Sequence, residues 1–245
     1  MCVTLTKVPE IPEKIDERKI VVYKSGIDPA IMKLIVEKMK NELFVKGSSK
    51  TEPKEIKVVS VDKYYEPYLI LDAKYNVDYF KKRVHILDVD KETKEVKILG
   101  KACKPETVVG SNGGSRRVIK LEAEESFSYE DKVFVILDKR GREIPSEQLP
   151  TAPSESHPQK ILKEFNKKVG KLEIPSQKEI EMIKARIVKR PIEADKIENE
   201  LFQISENLTY RPIYEIKFQN IETGEEKAIK IDGVTARIKT DSSED

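Results

Sequence analysis

The chain has no tryptophan, two cysteines (Cys2 and Cys103), two histidines (His85 and His157) and four methionines in 245 residues. Each shortage excludes something. Two distant cysteines, neither in a Cys-x-x-Cys pair, argue against a disulfide framework and against a zinc knuckle. His85 sits beside Val84 and Ile86 in a predicted strand, and His157 lies in a Pro/Ser-rich stretch. No HxxxH or HxxE spacing offers a metal or acid–base site. No apolar run approaches the ~18 residues that a membrane helix needs. A basic-then-apolar leader pattern is missing as well, because Pro9, Pro12 and Asp16 interrupt the start. The expectation is a cytoplasmic protein without membrane contact, metal or cofactor.

Charge is what the chain has in quantity. Charged residues make up 37% and apolar residues 38%, yet 46 basic and 44 acidic side chains nearly cancel to +2. Interspersed opposite charges with apolar periodicity between them point to a folded protein rather than a polyelectrolyte. Abundant Lys, Glu and Ile with few Cys and Met is a heat-adapted composition, in which ion pairs gain relative to their desolvation cost.

The charge is uneven along the chain. Residues 160–190 hold ten Lys/Arg against four Glu. Two helices are predicted here. One carries Ile161, Leu162, Phe165 and Val169 on one face; the other starts at the capping box Ser176-Gln-Lys-Glu179 and carries Ile180, Ile183, Ile187 and Val188. Lys163, Lys167, Lys168, Lys171, Lys184, Lys189 and Arg190 are therefore candidates for an RNA-binding or other anion-binding surface. The most glycine-dense stretch, Gly110-Ser-Asn-Gly-Gly-Ser115, is followed by Arg116 and Arg117, which could hold a phosphate. A P-loop would instead need Lys-Ser/Thr and a helix after the glycines. Only Phe165 interleaves with the basic residues, so base stacking is not expected.

The order of elements suggests a duplication. Glu37-Lys-Met-Lys-Asn-Glu-Leu-Phe44 and Asp195-Lys-Ile-Glu-Asn-Glu-Leu-Phe202 are near-identical helical phrases, each followed by a Tyr-x-Pro strand, at Tyr65-Glu66-Pro67-Tyr68 and Tyr210-Arg211-Pro212. A helix capped by Asp28 should pack through Ile31, Leu34, Ile35, Met39 and Leu43. Strands are read at 19–23, 55–61, 65–75, 83–89, 95–99, 117–123, 132–138, 227–232 and 235–239. A third helix is read at 192–203, and residues 145–158 read as a Pro-rich linker or exposed loop. The fold class predicted is α+β: two helix-plus-three-stranded-meander units with a β-hairpin insert and a helical segment between them. The divisions fall at 1–100, 101–150 and 151–245. Tyr65, Tyr68, Tyr210 and Tyr214 are candidate interface residues on the repeated strands.

Tyr210-Arg211-Pro212-Ile213-Tyr214-Glu215-Ile216, with Ile231-Asp232-Gly233-Val234-Thr235 downstream, resembles hairpin modules of uncharacterised archaeal proteins. The likeness covers residues 208–239, with an echo at 65–90. It implies a common origin and no particular reaction. The expected function is a non-catalytic binding or assembly factor. It would self-associate as a homo-oligomer and dock on a ribonucleoprotein such as a ribosomal subunit. An enzyme or sensor holding a phosphorylated small molecule at 110–117, and a structural subunit of a protein-only complex, are the alternatives.

Overall fold

A computed structural model describes residues 10–43, 45–46, 49–50, 56–109, 113–149 and 151–239. Residues 1–18 read from the sequence as an extended arm; of these 1–9, like loop residues 110–112 and the acidic tail at 241–245, lie outside the described residues, while Glu13–Ile15 forms a strand. The chain opens with short strands β1 (Glu13–Ile15) and β2 (Lys19–Val22), then helix α1 (Pro29–Leu43). A hairpin of β3 (Val45–Lys46) and β4 (Ser49–Lys50) follows, and then β5 (Ile56–Val89), which runs for 34 residues. Strands β6 (Val96–Ile98), β7 (Lys101–Cys103) and β8 (Glu106–Val109) lead to β9 (Ser115–Leu137) and β10 (Glu143–Ile144). Helices α2 (Pro158–Phe165) and α3 (Ser176–Ile187) come next. Strands β11 (Lys196–Asn220), β12 (Glu226–Asp232) and β13 (Ile238–Lys239) complete the chain. The main sheet runs β10-β9-β5-β11-β12-β13, with β1 and β2 added to β11 and β8 to β9.

This is a mostly β protein built on a large antiparallel sheet with three short helices, not a pair of α+β helix-meander units. The duplication fails at its first element. Glu37–Leu43 of the early phrase lie in α1, but the late phrase begins strand β11. Burial there has period two: Phe202, Ile204 and Glu206 are buried, while Leu201, Gln203 and Ser205 are only half-buried. The Phe202 N–H donates to the Pro12 carbonyl (3.0 Å), and the Asp16 N–H donates to the Ile204 carbonyl (3.0 Å). Differences in helix propensity among Lys, Glu, Leu and Ile amount to tenths of a kcal/mol per residue, too little to resist pairing along a whole strand.

Other expected breaks are absent for a related reason. The segments read as strands at 55–61, 65–75 and 83–89 belong to one strand, as do those at 117–123 and 132–138. Polar residues along these strands stay in the ladder by pairing outward. Asp62 accepts from Lys168 (2.8 Å), Asp78 accepts from Ser128 (2.7 Å), and Lys74 meets Glu130 (2.6 Å). Pro67, expected at a strand start or edge, lies inside β5. Alongside, the Gly170 N–H donates to the Tyr65 carbonyl (2.8 Å). A Cβ on Gly170 would come within 2.8 Å of the Pro67 ring, so only glycine allows this approach. The true turn is at Asp90, whose carbonyl accepts from the Thr93 N–H (3.0 Å).

Residues 145–158 are not a free linker. The Lys24 N–H donates to the Pro153 carbonyl (2.8 Å), the Glu155 N–H donates to the Val22 carbonyl (2.7 Å), and Leu149 packs with Tyr68 and Ile136. Among the described residues no helix is long and apolar enough to cross a membrane.

Two compact units emerge. One comprises Met1–Lys14, Lys74–Asp131 and Ile187–Phe202. Its buried residues include Tyr75, Val77, Tyr79 and Phe202; the Tyr79 and Phe127 rings stack at 5.5 Å, with the Lys81 ammonium 4.7 Å from the Phe127 ring. The other comprises Ile15–Ala73, Lys132–Arg186 and Gln203–Asp245. Here α1 starts as expected, with Asp28 Oδ1 accepting from the Ala30 (2.8 Å) and Ile31 (2.9 Å) N–H groups. Its buried face is rotated from the expected one. Met32, Val36 and Met39 pack on Ile56, Ile216, Phe218, Ile229 and Ile231, while Leu34 is 73% exposed. The sheet, not the helix's own pattern, selects the face. Met39→Ala should therefore cost about 2–4 kcal/mol in urea unfolding, and Leu34→Ala should stay within about 0.5 kcal/mol; equal losses would return Leu34 to the interior.

Candidate functional site

The expected cationic residues divide into those already paired and those left to solvent. In the first unit, Arg116 meets Asp88 (3.3 Å) and Arg117 donates to the Lys91 carbonyl (2.8 Å). As neighbours on β9 they point to opposite faces, so they do not form one anion clamp. Arg190 grips Glu200 with two nitrogens (Nε 2.8 Å, Nη2 2.7 Å), and the Tyr75 hydroxyl donates to the same carboxylate (2.7 Å). Lys189 beside it is exposed.

In the second unit, Lys168 is bonded to Asp62, which holds that carboxyl below its ordinary range, and Lys184 is also engaged. Lys163, Lys167 and Lys171 are exposed and have no ion-pair partner among the described residues; Lys160 is the same. Pro158 opens α2 at its favoured first position, and a 3-10 turn over Asn166–Lys168 continues the helix. Lys160, Lys163 and Lys167 recur three and four residues apart and share a face. The opposite side carries Ile161, Leu162 and Phe165, and the Phe165 ring meets Tyr65 edge-on at 5.0 Å. Beside the lysines is an open depression lined by Ser156, His157, Gln159, Lys160 and Lys163.

The tyrosines expected at an interface are inside the second unit. Tyr65 is 1% exposed and Tyr68 5%. Burial pushes the Tyr65 hydroxyl up to about 12, and the Tyr68 hydroxyl donates to Glu66 (2.8 Å). The Tyr214 hydroxyl lies 3.0 Å from that of Ser25, and Tyr210 is half-buried.

Two buried charge clusters escaped the sequence reading. Arg211 is bonded to Asp232 and to the Gln148 carbonyl, while Asp232 Oδ1 accepts from the Val234 (2.7 Å) and Thr235 (2.8 Å) N–H groups. The Gly233 N–H closes the turn on the Pro212 carbonyl (2.8 Å). The Tyr-Arg-Pro and Ile-Asp-Gly-Val-Thr phrases thus meet as one structural knot. In the second cluster, Arg18 Nε donates to Glu206 (2.6 Å) and Nη2 to Glu179 (3.4 Å), with both carboxylates buried. Glu179 therefore faces Arg18 instead of completing a capping box. Period-two reading of 196–210 would have placed Glu206 inside; nothing local marks Arg18.

His85 Nε2 lies 2.9 Å from Glu125 in the first unit, and His157 is exposed at the head of α2. Among the described residues no three His, Cys, Asp or Glu side chains gather closely enough to hold a metal ion. No protein-family model, curated protein or solved structure matches this chain.

Burial raises the Glu179 carboxyl to about 7, against the opposing pull of Arg18. The folded chain thus keeps a proton that the unfolded chain releases near 4.5. Its contribution is most favourable below that value and is lost as pH rises towards 7. Glu179→Gln should flatten this decline and gain roughly 2–3 kcal/mol over the parent above pH 7, at about 1.4 kcal/mol per tenfold change in the proton equilibrium. Parallel pH–stability curves for the two chains would contradict it.

Proposed function

We propose that the protein is a non-catalytic binding or assembly factor that docks on an acidic, RNA-bearing partner, such as a ribosomal subunit. The docking face is α2 and the turn after it. One observation carries this reading: Lys160, Lys163, Lys167 and Lys171 stay exposed without partners, while most of the other candidate cations are engaged within the fold. Unpaired ammonium groups in a row release counterions from a phosphate backbone, and the attraction is independent of base sequence. Lys is suited to this as a mobile point charge rather than a fixed fork. The phosphate-loop alternative is weakened because both of its arginines are already bonded within the fold.

Fluorescence anisotropy with labelled RNA tests the proposal. In about 50 mM salt, Lys163→Glu, Lys167→Glu and Lys171→Glu combined should weaken binding at least tenfold. They should also flatten the slope of log affinity against log salt by about two for a single strand. Arg116→Ala should change neither quantity noticeably. Purification from cells at low salt should recover RNA-bearing particles that separate at high salt. Association that persists at high salt and after ribonuclease would favour a protein-only complex instead.

A further inference from the structure

Strands β6 and β7 form a two-stranded sheet of their own, apart from the main sheet and within the first unit. Their register, Val96 with Cys103 and Ile98 with Lys101, leaves Leu99 and Gly100 as the whole turn. Both residues have positive φ, 47° and 80°, as the two-residue turn that matches strand twist requires. Asparagine, aspartate and glycine adopt that conformation readily. A leucine is strained in it, because its Cβ crowds the following carbonyl. Packing within the fold does not offset this strain, since Leu99 is 100% exposed. A bulky residue held in a costly conformation with its side chain in solvent points to a role outside the fold.

The surroundings of this tip are basic. Residues 91–104 hold five Lys against two Glu. Lys91, Lys94, Lys97 and Lys101 are exposed, and none of the five lysines has an ion-pair partner among the described residues. Lys97 stands opposite Ala102 and Lys101 opposite Ile98, so the two lysines nearest the turn lie on opposite faces of the ribbon. Positive charge therefore straddles Leu99.

We propose that the β6–β7 hairpin is a second RNA contact, in which its lysines meet phosphates and Leu99 lies against an unstacked base. This rests on the reading that the partner carries RNA, and it adds a surface in the unit to which α2 does not belong. Loops and bulges of RNA splay out such bases, and apolar side chains act as wedges between base steps. The lysines supply an attraction that is independent of base sequence. A bilayer is a poorer fit. One leucine on a ribbon whose Val96 and Ile98 are half-buried offers too narrow an apolar face to lie in a membrane interface.

Leu99→Asn in the full chain separates the strain from its use. Asparagine suits the turn, so the variant should melt at the parent's temperature or above it. Its affinity for a labelled RNA stem-loop in about 50 mM salt should fall about fivefold or more, because an apolar contact is lost. The slope of log affinity against log salt should stay as in the parent, because no charge is removed. Lys97→Ala with Lys101→Ala should weaken binding and flatten that slope by about 1.4 for single-stranded phosphates. A lower melting temperature for Leu99→Asn would mean that Leu99 serves the fold, and would overturn the proposal. Parent-like affinity in both hairpin variants, with the combined α2 glutamate variant still weakened, would overturn the hairpin contact and leave the docking reading intact. A parent chain that binds no RNA would remove both. Vesicles containing phosphatidylserine test the lipid alternative: binding there that Leu99→Asn abolishes, with RNA affinity unchanged, would overturn the proposal in favour of a membrane surface.

Discussion

Strands of 34, 23 and 25 residues share one hydrogen-bond ladder, and the pleat fixes each of their residues to one of two faces. A slip of one residue would turn every buried side chain outward. Long strands make such a slip costly, but they also make the correct register harder to specify from apolar content alone. This chain has only 38% apolar residues with which to do so. Buried charges supply the rest. Arg190 with Glu200 and Tyr75, Arg211 with Asp232, and Arg18 with Glu206 and Glu179 each join residues far apart in sequence. A buried ion pair contributes little net stability, because desolvation offsets the Coulomb attraction, but misplacing one partner strands a charge. These clusters therefore act mainly on register. Glu179 shows the cost, with one carboxylate oxygen buried and without a hydrogen-bond partner in the fold.

The parts of the fold legible in the sequence are those decided by neighbours along the chain. The Asp28 cap and the start of α3 depend on contacts within a few residues, and they are found where expected. What could not be read is decided across strands. Lys196-Ile-Glu-Asn-Glu-Leu-Phe satisfies a helical pattern as well as Lys38-Met-Lys-Asn-Glu-Leu-Phe does. Only β1 and β5 lying beside the first make it a strand. Asp62 and Asp78 fall in the gaps between the segments read as strands, and their partners Lys168 and Ser128 are distant in sequence. Ile31 and Leu34 fit the stripe of α1 by spacing, yet the sheet beneath takes Met32 and Val36.

The same division applies to the candidate sites. A surplus of Lys and Arg at 160–190 is visible in the sequence, but which of them are free is not: the partner of Lys168, Asp62, lies 106 residues away, and Glu200, ten residues from Arg190, is in a segment that reads as helix. Tyrosines on repeated strands suggested an interface, and the sheet instead buries Tyr65 and Tyr68.

The long sheet depends most directly on residues 196–204 being strand in solution. Backbone NMR secondary shifts with amide exchange address this without reference to partners. Continuous β shifts from Lys196 onward are expected, with a slowly exchanging Phe202 amide bonded to the Pro12 carbonyl. Helical shifts over these residues in the folded chain would contradict it, and would restore the helix-and-meander duplication in place of the long sheet.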